Sequence, residues 1–114
     1  MALIDEIREK FALDKVEFTK HATVRSLARN ISVQDIREAI AVGEVIEDYP
    51  NDKYGPSCLI FGRTNSERPL HMQCSDPSRD VLKIITVYEP DPEEWIEFNQ
   101  RKPKDDVEEE EEME

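Results

Sequence analysis

At Gly43–Glu44 the hydrophobic period of this chain passes from helical to a sustained alternation, and that change constrains the fold more than any other feature. Before it, ISVQDIREAIAVG places Val33, Ile36, Ala39 and Ile40 on one face of a 3.6-residue period. Ser32, with Asp35 three residues on, resembles a capping box, and Gly43 stands where a C′ glycine would end the helix. After it, the period is two. EVIEDY, SCLIFGRT, RPLHMQCS and DVLKIITVYEP read as four successive strands. Turn formers separate them in NDKYGP, Asn65-Ser66-Glu67 and SDPSRD. The run from Val81 to Val87 is apolar apart from Lys83 and Thr86, so its strand is expected to be central and covered on both faces.

The flanks add smaller elements. Leu3, Ile4, Ile7 and Phe11 predict an amphipathic N-terminal helix, and VEFT a short strand. In TKHATVRSLARNIS, Val24, Leu27 and Ala28 supply the expected apolar stripe of another helix. Asp91-Pro92-Glu93-Glu94 reads as a further helix start, with Trp95 and Phe98 anchoring that helix on the sheet. Consecutive antiparallel strands with segregated helices define an α+β fold. The expectation is a small antiparallel-dominated sheet of four to five strands with two helices on one face, plus N- and C-terminal helices. Residues 1–14 form the N-terminal helix, 15–100 the α+β domain and 101–114 a disordered acidic tail.

The chain of 114 residues carries a net charge of -12, unevenly spread. Residues 104–114 hold 8 acids and one base, which leaves -5 for the remainder. Bulk charge therefore gives no grip on nucleic acid, and any such contact needs a local basic site. One exists: His21, Arg25 and Arg29 recur every fourth residue, drifting by only about 40° per step around a helix. Cys58 and Cys74 lack CxxC spacing and read as reduced core residues, although with His21 and His71 they have the ligand types of a zinc site. The expectation is no metal and no cofactor. MALIDEIREKF has no apolar region of signal-peptide type, and no run approaches the roughly 18 apolar residues of a membrane span. The expected location is cytoplasmic, with no membrane partner; the oligomeric state is open.

EFTKHATVRSLARNISVQDIREAIAVGEVIEDYP, PLHMQ and KIITVYEPDPEEW together resemble the family called domain of unknown function four-two-five-eight. That family is similar to the RelE/ParE-like and BrnT-like toxins. The resemblance implies a small sheet with two helices on one face. It also implies the toxin half of a toxin–antitoxin pair, a small antitoxin with a zinc-binding segment as partner, and RNA or the ribosome as target. The family pattern falls on His21, Arg25, Arg29, His71, Thr86, Tyr88 and Trp95. The acidic body and tail depart from the basic character of ribonuclease toxins.

Metal-independent RNA cleavage needs a base for the ribose 2′-hydroxyl, cations for the phosphorane and an acid for the leaving oxygen. His21 suits the base, Arg25 and Arg29 a phosphate clamp, and His71 or Tyr88 the acid. Lys83 and Thr86 are further substrate contacts. Each residue has a plainer alternative. His21 would cap its helix, Arg25 and Arg29 would pair with Asp35, Glu38 or Glu44, and His71 would be a half-buried structural histidine. Lys83 would snorkel, and Tyr88 and Trp95 would pack. The expected function is a toxin-like endoribonuclease; the alternative is a non-catalytic protein-binding module on the same scaffold.

Overall fold

The computed structural model describes residues 3–52 and 55–102. Helix α1 (Leu3–Ala12) leads to strand β1 (Val16–Phe18), then to helices α2 (Lys20–Ala28) and α3 (Val33–Ala41). The meander follows: β2 (Glu44–Tyr49), β3 (Ser57–Arg63), β4 (Pro69–Ser75) and β5 (Leu82–Tyr88). A hairpin of β6 (Trp95–Ile96) and β7 (Gln100–Arg101) ends the described chain. The sheet order is β1-β5-β4-β3-β2, with β1 parallel to β5 and the other neighbours antiparallel. The fold is α+β with a mixed five-stranded sheet and three helices among the described residues.

All three helices share one face. Ile7 and Phe11 of α1, Ala22 of α2 and Ile36, Ala39 and Ile40 of α3 form one buried cluster with Ile60, Leu70, Met72, Cys74, Leu82, Ile84 and Val87 of the sheet. α3 starts as its sequence dictates. Ser32 Oγ accepts from Asp35 N at 3.0 Å, and Asp35 Oδ2 accepts from Ser32 N at 3.0 Å. It lies against β3 because Gly62 lets it: a Cβ there would stand 2.0 Å from the Ala39 carbonyl oxygen. Gly43 does follow the C-cap Val42, but it is not among the residues with positive φ. It serves close approach, since its Cβ would meet Ala39 O at 2.8 Å.

Four expectations are corrected. β5 lies one strand in from the edge, with Lys83 exposed and Ile85 and Thr86 half-buried, so it is covered fully only on the helix side. In α2 the buried residues are Ala22 and Ser26, while Val24 and Leu27 are 54% and 76% exposed. The small side chains bring the helix close to the sheet and leave the larger ones outside. The helix expected from Asp91 does not form among the described residues. Glu94 N and Trp95 N both bond to Asp91 O, giving one turn, and Trp95 then pairs with Arg101. A single turn does not repay helix nucleation, whereas burying Trp95 against the sheet stabilises the hairpin. Arg101 thus belongs to β7 and not to the acidic tail. The run from Lys104 to Glu114, expected to be disordered, lies outside the described residues, as does Tyr54.

Candidate functional site

Two surfaces hold the residues singled out by sequence, and the sheet lies between them. The first is the outer face of α2. Thr19 caps this helix: its Oγ1 accepts from Ala22 N at 3.1 Å and donates to Ile85 O at 2.9 Å. That ties the helix start to the β4–β5 irregularity, where Gln73 opposes Thr86 and Cys74 opposes Ile84. With Ala22 and Ser26 facing inward, helical spacing points Val24 directly away from the sheet. Leu27 and Lys20 flank it on one side, Ala28, His21 and Arg25 on the other. All five flanking residues, Val24 itself and Arg29 are exposed. Among the described residues, no ion pair engages Lys20, His21, Arg25 or Arg29. Asp35, expected as a partner of the arginines, pairs with Arg68 at 3.6 Å, while Glu38 accepts from Asn65 N and Gln34. Arg68 also pairs with Glu89 and donates to the carbonyls of Arg29 and Asn30 at 2.7 and 2.9 Å, fixing the end of α2 by its backbone.

The second surface is the sheet face away from the helices. Alternation along β4 sends Leu70, Met72 and Cys74 to the core and His71 and Gln73 to this face. Register sets Tyr88 and Phe61 beside His71, and Thr86 and Leu59 beside Gln73. The segment after β5 covers it. Trp95 meets the His71 ring edge-on at 4.4 Å between centroids, and Phe98 lies 6.2 Å from Phe61. Arg101 stacks on Trp95 at 4.7 Å and grips Glu47 through Nε (2.7 Å) and a second nitrogen (3.2 Å). Leu59 and Trp95 are as buried as the main core yet stand outside it, so this is a separate small core.

His71 is wholly buried there, with both ring nitrogens engaged. Nε2 stands 2.6 Å from Phe98 O, which can only accept, so Nε2 carries the proton. Nδ1 therefore accepts from the Tyr88 hydroxyl at 3.1 Å. Burial pushes the His71 pKa down, against the opposing pull of the Phe98 carbonyl and the Glu47 charge. Burial likewise raises the Tyr88 phenol. Burial, together with the hydrogen bond to Glu47, carries the Tyr49 phenol up to about 12. For Glu47 burial acts upward, but the hydrogen bonds from Arg101 and Tyr49 outweigh it and hold the carboxyl below its usual range.

The predicted set is therefore divided. His71, Thr86 and Tyr88 come together on the sheet face, with Trp95 over His71. Lys83 shares that face further along, opposite Glu17 of β1, and is exposed. His21, Arg25 and Arg29 lie on the helix side. Cys58 and Cys74 face each other across β3 and β4, buried and free. Burial pushes the Cys58 thiol up to about 12 and the Cys74 thiol well above its usual value, so neither is a ready nucleophile. Their alternation puts them on the face opposite His71. Among the described residues no group of three or more His, Cys, Asp or Glu is placed to hold a metal. No described helix is long and apolar enough to cross a membrane.

Sequence reading missed Glu47 and Arg101, which meet across 54 positions of sequence with no local signal. It also missed the exposed Val24–Leu27 crest. A signal for that existed, since Ala22 and Ser26 recur at helical spacing as small residues. A family model matches residues 18–89, under the description Domain of unknown function (DUF4258). No curated protein and no solved structure matches. The matched stretch includes α2 and the strands bearing His71, Thr86 and Tyr88; it ends before the covering hairpin.

Proposed function

We propose that this chain, which belongs to the DUF4258 family, acts as a non-catalytic protein-binding module. One observation carries this reading: among the described residues, His21, the expected base, is not brought to His71 or Tyr88, the expected acids. His71 is enclosed by Trp95, Tyr88 and Phe61 with both nitrogens committed, and His21 and Arg25 lie across the sheet from it. General acid–base work needs a group within reach of substrate, and no open centre on either surface combines the two histidines. The test incubates the purified chain with free and ribosome-bound message in the presence of chelator. RNA is expected to stay intact beyond buffer controls. Cleavage that disappears in His21→Ala, Arg25→Ala or His71→Gln would overturn the proposal.

A toxin-like endoribonuclease of the RelE/ParE-like and BrnT-like kind, paired with a small zinc-binding antitoxin, is the second reading. In its favour stands the grouping of His71, Thr86 and Tyr88 on one sheet face, next to the Arg101 guanidinium. It requires the hairpin to leave that face before RNA could enter. The cleavage assay decides between the two.

A further inference from the structure

We propose that the outer face of α2 docks an acidic amphipathic helix of a partner protein. This names the surface and the partner chemistry of the binding module and rests on that reading. The first support is charge. None of the chain's 27 acids lies between Glu17 and Asp35, whereas Lys20, His21, Arg25 and Arg29 all do. In a molecule of net charge -12, a stretch without acids and with four basic groups unpaired among the described residues is complementary to something other than this fold.

The second support is local energetics. The first turn of α2 holds no acid and carries Lys20 against the positive end of the helix dipole. The helix also presents Val24 and Leu27 to water at 54% and 76% exposure, although smaller residues occupy its buried side. Neither choice stabilises the isolated chain. Both suit a surface that becomes covered, because local rules are broken where a site needs it.

The shape of the patch selects among anions. Val24, Leu27 and Ala28 form an apolar crest spaced for the i, i+3 and i+4 anchors of a second helix, with the basic groups on its flanks. Aliphatic crests offer nothing to phosphate, and α2 has no Phe, Tyr or Trp on which a base could stack, its one imidazole, His21, standing on a flank and not on the crest. A second copy of the chain would bring a further charge of -12. A partner helix with apolar residues along one stripe and Asp or Glu beside it satisfies both the crest and its flanks.

The experiment uses the full chain and a phage-displayed library of helical peptides of about 18 residues, roughly five turns. Selection on the wild type is paired with counter-selection on a variant carrying Arg25→Glu, Leu27→Asp and Arg29→Glu. All three side chains are exposed, and matching circular dichroism and melting curves confirm the variant's fold. The enriched peptides are expected to carry apolar residues at i, i+3 and i+4 flanked by acids. Synthesised, they should lose about tenfold or more in affinity for Leu27→Asp or Arg25→Glu. They should keep it for Val42→Asp, a residue equally bare at 69% exposure but outside α2. Several outcomes overturn the proposal: no enrichment, neutral or basic winners, or equal binding to the α2 variants. A uridine oligonucleotide displacing the peptides, or wild-type self-association abolished by Leu27→Asp, also overturns it, in favour of nucleic acid or a second copy. RNA cleavage by the same preparation would remove the non-catalytic reading and leave the α2 assignment standing. Failure of the peptides would do the reverse.

Discussion

At the scale of single residues, His71 shows what burial and hydrogen-bond partners add where residue type leaves a role open. A histidine between Leu70 and Met72 is compatible with an acid or with a structural group. Its structural alternative accounts for every contact here, because Phe98 O and the Tyr88 hydroxyl use both nitrogens. Replacing it by alanine leaves a buried carbonyl without its donor and opens space beneath Trp95. The variant His71→Ala is expected to lose about 3 kcal/mol in urea unfolding and to gain Trp95 fluorescence quenching by iodide. An unchanged midpoint would show that the hairpin does not depend on this ring.

At the scale of elements, α3 and α2 contrast in legibility. The capping box and apolar face of α3 are local, so its boundaries follow from eleven or so consecutive residues. The contact of α3 with β3 is not local, and Gly62 carries it. Gly62→Ala drives a Cβ into the Ala39 carbonyl. The expected loss is about 2–3 kcal/mol, and a thermal melt reads it directly. For α2, hydrophobicity alone points Val24, Leu27 and Ala28 inward, yet close packing on β5 and β1 admits only Ala22 and Ser26. The β6–β7 hairpin was also hidden. Its turn runs through Glu97 and Phe98, both at positive φ (51° and 68°), where Asn-Gly would be the usual signal.

At the scale of the whole molecule, charge and burial predict a pH response in two windows. His71 has a folded pKa below its unfolded value, so the unfolded state takes up its proton first. Stability from this group is complete above the unfolded pKa of about 6.5 and falls as pH drops through it. Glu47, with a depressed folded pKa, is stabilising above its ordinary value and loses that contribution only at more acidic pH. Urea midpoints are therefore expected to decline between pH 7 and 5 in the wild type. A flatter profile is expected for His71→Gln, with both declining below about pH 4.5. A wild-type profile level from pH 7 to 5 would contradict the assignment of His71 as neutral and enclosed.

Sequence alone determined what depends on neighbours within a turn or a strand: the four-strand meander, α1, the capped α3 and the basic, acid-free stretch of α2. These follow from period, caps and turn residues, which act over a few positions. Tertiary structure decided which face α2 turns inward and which strands and loops meet. It set β1 parallel to β5, put Ala22 and Ser26 beneath α2, and folded Trp95 and Arg101 back over His71 and Glu47. It also separated His21 from His71. Side chains that share a chemistry do not thereby share a site, because a strand's alternation and a helix's packing assign faces through contacts distant in sequence.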